Sequence, residues 1–195
     1  MYPIDENDRV VELDGIPKPV TGAPEPIVVA DEQAVVVSYV SEYPEPSNDT
    51  PTFCSVRFHL AHTHLFGAPN DEALEGHPLW NRGLGFYGVF RVDQSSLIRR
   101  LAVMNSVHRQ HSYSTFDELA HYIFTFHDST FECVARSYET VVETMAWDRR
   151  YEQVVELLHR VPPSDMSKFM RTDPLSKLQR RLPSGLRFVI DALRR

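Results

Sequence analysis

Two histidines, a glutamate and an arginine alternate with aromatic residues in residues 121–138, HYIFTFHDSTFECVARSY. The alternation predicts a β-hairpin, because successive side chains of a strand point to opposite faces. A two-residue turn at Asp128 and Ser129 would pair residue 127 with 130 and residue 125 with 132. One face would then be apolar, with Tyr122, Phe124, Phe126, Phe131, Cys133 and Ala135. The other would carry His121, Ile123, Thr125, His127, Thr130, Glu132, Val134 and Arg136.

On the polar face of this hairpin, His127 is expected diagonal to Glu132, about 7–8 Å away between backbones and within side-chain reach. A carboxylate beside an imidazole orients one tautomer and raises the imidazole pKa, as a general base or a metal ligand requires. We therefore predict His127 and Glu132 as catalytic residues. The alternative is a structural pair on a solvated face.

Basic and aromatic side chains on other segments could extend this site. Alternation puts Arg57 beside His59 and Tyr87 beside Arg91, and the long connection 67–85 carries His77 and Arg82 between glycines. Because arginine forms bidentate bonds to carboxylates and phosphates, such a patch suits a small anionic ligand. The residues predicted to bind it are Arg57, His59, His77, Arg82, Tyr87, Arg91, His108 and Arg136.

His62 and His64 have the i, i+2 spacing of many metal sites on β-strands. If they converged with His127 and Glu132, they would complete a His/carboxylate site for a divalent metal. The alternative is that both are structural histidines near a strand end. No nucleophile elbow, phosphate-binding loop, dinucleotide-binding loop or HExxH motif occurs in the chain.

The charge and composition of the chain exclude some function classes. The net charge is −7, which argues against general nucleic-acid or anionic-membrane binding. No apolar run is long enough to span a bilayer, no leader is recognisable, and two cysteines do not make a disulfide framework. A cytoplasmic location is therefore expected. Both cysteines, Cys54 and Cys133, fall on predicted apolar faces.

The residue patterns, including two β-branched runs around Asp31, predict the element order β-β-β-loop-β-α-(α)-β-β-α. This order indicates an α+β domain. We expect an antiparallel sheet of about five to six strands with helices on one face, and a closed small barrel or jelly-roll variant is the alternative. Residues 1–26 are predicted to be an extended proline-rich acidic arm, 27–162 the core domain, and 163–195 a basic tail with a short helix.

Two functions are compatible with these patterns. The first is an enzyme or small-molecule-binding protein with a His/Glu/Arg-lined pocket, using acid–base or metal-assisted chemistry on a small anionic substrate. The second is a non-catalytic interaction or assembly module. In that case the acidic arm and the basic tail would contact a partner or a second copy, forming a homo-oligomer.

Overall fold

Seven strands form one antiparallel sheet in the computed structural model, which describes residues 2–42 and 50–160. The strands are β1 (Arg9–Glu12), β2 (Ile27–Ala30), β3 (Ala34–Val40), β4 (Thr52–Gly67), β5 (Val89–Asp93), β6 (Ala120–Thr125) and β7 (Thr130–Thr144). They lie in the order β1-β5-β6-β7-β4-β3-β2, and all neighbours are antiparallel. The predicted α+β class and antiparallel sheet are confirmed. The strand that the sequence analysis did not predict is β1, which lies inside the segment predicted to be an extended arm.

The helices are few and mostly short. They are α1 (Ser96–Asn105), α2 (Tyr113–Phe116) and α3 (Trp147–His159), and two 3-10 helices cover Asp71–Gly76 and Trp80–Arg82. Ser95 caps α1, because its hydroxyl accepts a hydrogen bond from the Ile98 N–H at 3.3 Å. The predicted helix in the C-terminal tail lies outside the described residues.

The hairpin of β6 and β7 has a longer loop than predicted. Thr125 pairs with Thr130, and the Phe126 N–H donates to the Ser129 carbonyl at 2.8 Å, so residues 126–129 form the loop. The predicted register is therefore wrong by two residues. A two-residue shift leaves each side chain on its predicted face, because the period of a strand is two.

The sheet is strongly curved around an aromatic core on its inner face. Tyr39 of β3 and Phe124 of β6 are three strand positions apart, which is about 14 Å in a flat sheet. Their ring centroids are nevertheless only 5.9 Å apart. The inner cluster is Ile16, Val35, Val37, Tyr39, Cys54, Val56, Phe58, Val89, Tyr122, Phe124, Phe126, Phe131, Cys133 and Ala135. Both cysteines are therefore buried among apolar side chains, as predicted, and burial raises the pKa of Cys54 to about 12.

The segment between β1 and β2 crosses the inner face and joins the two halves of the sheet. Leu13 hydrogen-bonds to Val89 of β5, Ile16 is buried in the inner cluster, and Val20 hydrogen-bonds to Val40 of β3. Tyr39 adds a bond from its hydroxyl to the Pro17 carbonyl at 2.6 Å. A separate N-terminal arm is therefore not confirmed, because these residues are part of the folded core.

Two apolar clusters lie on the outer face. Helix α3 packs on β2, β3 and β4 through Ala34, Val36, Val154, Leu157 and Leu158. Over β1, β5 and β6, the connection containing the 3-10 helices covers a second cluster, and Tyr2 and Ile4 pack against it. This outer cluster comprises Val10, Leu74, Leu79, Leu84, Phe90, Val92 and Ile123. The candidate site lies beside this outer cluster.

Candidate functional site

Glu132 of β7 accepts hydrogen bonds from three side chains in the interior of the outer face. His121 Nε2 lies 2.8 Å from Glu132 Oε2, and His77 Nε2 lies 3.2 Å from Oε1. The Tyr2 hydroxyl also donates to Oε2, at 2.5 Å. Glu132, His77 and His121 are all buried. We refer to Glu132, His77, His121, Tyr2 and Ser95 as the Glu132 cluster.

Three separate parts of the chain position this cluster. The hairpin register pairs Ile123 with Glu132 and His121 with Val134, so His121 is diagonal to Glu132 on the same face. His77 ends the first 3-10 helix, where its own N–H bonds to the Leu74 carbonyl. Tyr2 reaches the cluster because residues 5–8 are tied to the start of α1 by Asp8, whose carboxylate accepts from the Ser96 N–H at 2.7 Å.

The hydrogen bonds around the two histidines define their protonation. His77 Nδ1 accepts from the Leu79 N–H at 3.2 Å, so this nitrogen carries no proton and His77 is a neutral Nε2–H donor to Glu132. His121 Nδ1 lies 3.0 Å from the Ser95 hydroxyl, which can donate to it. The same hydroxyl can instead accept a proton from Nδ1, so the hydrogen bonds fix the neutral form of His77 but not that of His121. Glu132 is thus held by two neutral donors, His77 and Tyr2, and by His121.

These donors keep Glu132 ionised in spite of its burial. Burial raises the pKa of Glu132, but the hydrogen bonds from His121 and His77, together with the electrostatic attraction of His121, outweigh it and lower the pKa to about 2. The pKa of Tyr2 is raised, first by burial and then by the charge of Glu132. The cluster therefore holds a carboxylate at neutral pH.

A small cavity of about 150 Å³ opens beside Glu132. Its lining consists of Leu65, Phe66, Gly67, Ala68, Thr130 and Glu132. Leu65 and Phe66 are each 47% exposed, so the cavity has apolar walls that water reaches. Glu132 is the only ionisable side chain in this lining.

His127 lies away from Glu132, in a different cluster at the hairpin loop. Its Nδ1 is 2.7 Å from Asp71 Oδ2, and the Tyr87 hydroxyl also donates to that oxygen. The pKa of His127 is raised by the Asp71 bond, and the pKa of Asp71 is lowered, chiefly by the Tyr87 bond. The expected pairing of His127 with Glu132 is therefore wrong, and His121 occupies that position in the observed register.

Arg57 and His59 form a third cluster with Glu139, about 23 Å from Glu132 along β7. Arg57 Nη1 donates to His59 Nδ1 at 2.9 Å, so His59 is neutral, and Arg57 Nη2 donates to the Leu158 carbonyl at the end of α3. Burial first, and then the charge of Arg57, lower the pKa of His59. Arg57 holds the C-terminus of α3, where a cation is favoured by the helix dipole.

The other predicted residues do not join the Glu132 cluster, except His77. Arg82 reaches the Glu6 carbonyl, Arg91 pairs with Asp93 at 2.8 Å, and Arg136 pairs with Glu118. His108 is exposed after α1 and accepts from the Gln110 N–H. The predicted Arg/His patch is therefore divided among several places.

His62 and His64 do not meet Glu132. His64 pairs with Cys133, which places it on the opposite face of the sheet, and a β-bulge interrupts the ladder between Ala61 and Thr63. His62 instead contacts the ring of Phe116, with centroids 5.6 Å apart. Within residues 2–42 and 50–160, no group of three or more His, Cys, Asp or Glu side chains is arranged to hold a metal ion.

Four residues of the clusters around Glu132 and His127 were not predicted as functional from the sequence: Tyr2, Asp71, Ser95 and His121. His121 was placed on the correct face, and a four-residue loop in the hairpin would have placed it diagonal to Glu132. Asp71 and Tyr2 gave no local signal, because their partners lie 56 and 130 residues away in the chain.

The chain has no match among known proteins: no family model, curated protein or solved structure is similar to it. Considering the described ranges alone, no helix combines the length and apolar character that crossing a membrane requires.

Proposed function

We propose that the protein binds a small molecule with a cationic head group, held by Glu132 in the cavity beside β7. The observation that carries this proposal is a buried carboxylate that lines a cavity while two of its bonded partners, His77 and Tyr2, are neutral donors. The elements around the cavity hold these groups in place before a ligand arrives, which lowers the ordering cost of binding.

The charge of the Glu132 cluster supports a cationic ligand. The proposal takes His121, like His77, as a neutral Nε2–H donor, which gives the cluster a net charge of −1. A buried charge is costly unless it is paired and hydrogen-bonded, and His77 and Tyr2 supply hydrogen bonds to Glu132 but no charge. An ammonium group entering the cavity would supply it.

The walls of the cavity support a ligand with a small apolar body. A dry cavity of about 150 Å³ in another protein accommodates benzene, so a ligand of that size would fill this one. Leu65 pairs with Glu132 and would be covered by such a body, and each square ångström of apolar surface removed from water contributes roughly 25 cal/mol. Thr130 adds a hydroxyl close to the carboxylate.

This proposal differs in two respects from the expectation based on the sequence. An anionic ligand in this cavity would be repelled by the charge of Glu132. The arginines on which the prediction of an anionic ligand was based lie elsewhere. The low pKa of Glu132 also makes this carboxylate a weak base, so binding is better supported than acid–base catalysis.

A series of benzene derivatives tests the proposal directly. Benzylamine, benzyl alcohol and benzoate share a ring and differ in head-group charge, and NMR chemical-shift titration would give each dissociation constant. We expect benzylamine to bind at least about tenfold more tightly than benzyl alcohol, a difference of about 1.4 kcal/mol, and benzoate to bind most weakly. The shifted resonances should include Leu65, Phe66 and Thr130.

The matched controls for this series are Glu132→Gln and Glu139→Gln. Both replace a carboxylate whose side chain is at most 12% exposed, but Glu139 belongs to the cluster at the end of α3. Only Glu132→Gln should abolish the preference for the amine. Equal binding of benzylamine and benzoate by the native protein, or loss of the preference in both variants, would contradict the proposal.

A further inference from the structure

Helix α1 presents an apolar and basic face to solvent. Arg100, Val103, Met104 and Val107 follow the i, i+3, i+4, i+7 spacing of one helix face, opposite the buried Ala102, with Val107 in the turn after the helix. The three apolar side chains are between 62% and 90% exposed. Residues 96–113 contain Arg99, Arg100 and Arg109 but no Asp or Glu.

Helix α3 presents a second exposed apolar stripe with acidic side chains beside it. Trp147, Tyr151 and Val155 are spaced i, i+4, i+8 and are between 43% and 62% exposed. Asp148, Glu152 and Glu156 repeat the same spacing one residue later, and all three are exposed. Tryptophan and tyrosine are enriched among residues that dominate protein interfaces.

The exposed surfaces of α1 and α3 are complementary, but they cannot contact each other within one chain. Both contain apolar side chains, and the net charges beside them have opposite signs, although Arg149 pairs with Glu152 beside α3 and Arg99 pairs with Asp5 beside α1. Within one chain, α1 is fixed on β6 and α2, and α3 is fixed on β2, β3 and β4. The apolar side chain of Trp147 is anchored by an edge contact with Phe53, so the α3 surface is preformed.

We propose that the protein associates with further copies of itself head to tail, with α1 of one copy against α3 of the next. A contact between two different surfaces of the same chain is heterologous, so it leaves one free α1 and one free α3 at the ends of every open assembly. Each copy added therefore creates the site for another. Two short helices make a small interface, which is typical of weak association that depends on concentration.

Sedimentation velocity of the full chain over a wide range of concentrations tests this proposal. The mass of the native protein should rise from 22.5 kDa at low concentration to twice that value and beyond as concentration increases. Met104→Asp/Val107→Asp removes the α1 surface, and Tyr151→Lys/Val155→Lys removes the α3 surface. Each variant alone should remain at 22.5 kDa, because each has lost one of the two surfaces.

An equimolar mixture of the two variants gives the decisive result. The intact α3 surface of the first variant can bind the intact α1 surface of the second, so a 1:1 dimer should form and grow no further. Circular dichroism checks that each variant is folded, which is expected because all four positions are exposed. A native protein of constant mass would overturn the proposal, and so would a mixture that stays monomeric.

The charge complementarity has its own test. Arg100→Glu/Arg109→Glu and Glu152→Arg/Glu156→Arg should each weaken association several-fold, and one chain carrying all four changes should regain it. High salt should weaken association of the native protein, since exposed charges are screened. If the chain with four changes associates no better than either double variant, the pairing of α1 with α3 is wrong.

Discussion

Glu132 shows how a single side chain can remain ionised in the interior. Hydrogen bonds from His77, His121 and Tyr2 outweigh its burial, so the neighbouring donors offset the cost of keeping the charge. Removing any one donor would leave a buried lone pair without a partner, which costs roughly 1–3 kcal/mol.

The lowered pKa of Glu132 predicts acid sensitivity. With a pKa of about 4.5 in the unfolded chain and about 2 in the native one, the stabilisation is fully present above pH 4.5 and is lost as the pH falls through 2. Its size is about 3 kcal/mol. Urea unfolding across this range should show that Glu132→Gln is less stable at neutral pH and approaches the native protein in acid. An equal decline of both proteins with pH would contradict this assignment.

Among the elements, α3 depends on an arginine that lies inside the protein. Arg150 is 2% exposed, donates to the carbonyls of Ser38 and Glu25, and stacks over Phe53 with 4.6 Å between its Cζ and the ring centroid. Burial lowers the pKa of Arg150 to about 10. The planar guanidinium makes these contacts together, which attaches α3 to β3 and to the segment before β2.

We therefore predict that Arg150→Lys destabilises the protein although the charge is kept. An ammonium cannot stack on Phe53 and reach both carbonyls, so a loss of about 1–3 kcal/mol is expected in urea unfolding. The matched control is Arg149→Lys on the preceding, exposed residue, which should change the free energy of unfolding by less than about 0.5 kcal/mol. Similar effects of the two substitutions would show that the buried contacts of Arg150 contribute little.

For the molecule as a whole, the segment between β1 and β2 acts as part of the core although it contains no regular element. Its Ile16 is 2% exposed and contacts the inner cluster of a sheet whose two halves come from distant parts of the chain. Since the curved sheet and this segment bury the same aromatic side chains, they are expected to unfold together.

The prediction for the whole molecule is that Ile16→Ala lowers global stability as a core substitution does, by about 2–5 kcal/mol. Val107→Ala is the control, because that side chain is 90% exposed and should have an effect of less than about 0.5 kcal/mol. The opening free energy measured by amide hydrogen exchange in β3, β4 and β6 should fall in Ile16→Ala by the same amount as the global stability. Unchanged exchange in these strands would mean that the segment opens independently of the sheet.

Local patterns in the sequence were sufficient for most elements and for the faces of their side chains. The two runs of β-branched residues around Asp31 predict β2 and β3, and Asp31 closes that turn by accepting bonds from the N–H groups of Gln33 and Ala34. The alternation in residues 121–138 assigns Phe124 and Glu132 to opposite faces, and this assignment survives an error of two residues in the register. Strand β1 was missed because a four-residue strand between prolines has too few residues to show a period.

Which side chains meet in the site was decided only by the tertiary structure. Glu132 was predicted to be functional, but its partners come from the start of the chain, from the connection after β4 and from the strand beside it. The period of a strand is a local property, so a single sequence reveals it. The contact of Tyr2 or His77 with Glu132 depends on how distant segments cover the outer face, which is set by burial of Leu74, Leu79 and Leu84. These contacts produce no characteristic residue spacing in the sequence, and therefore only the tertiary structure reveals them.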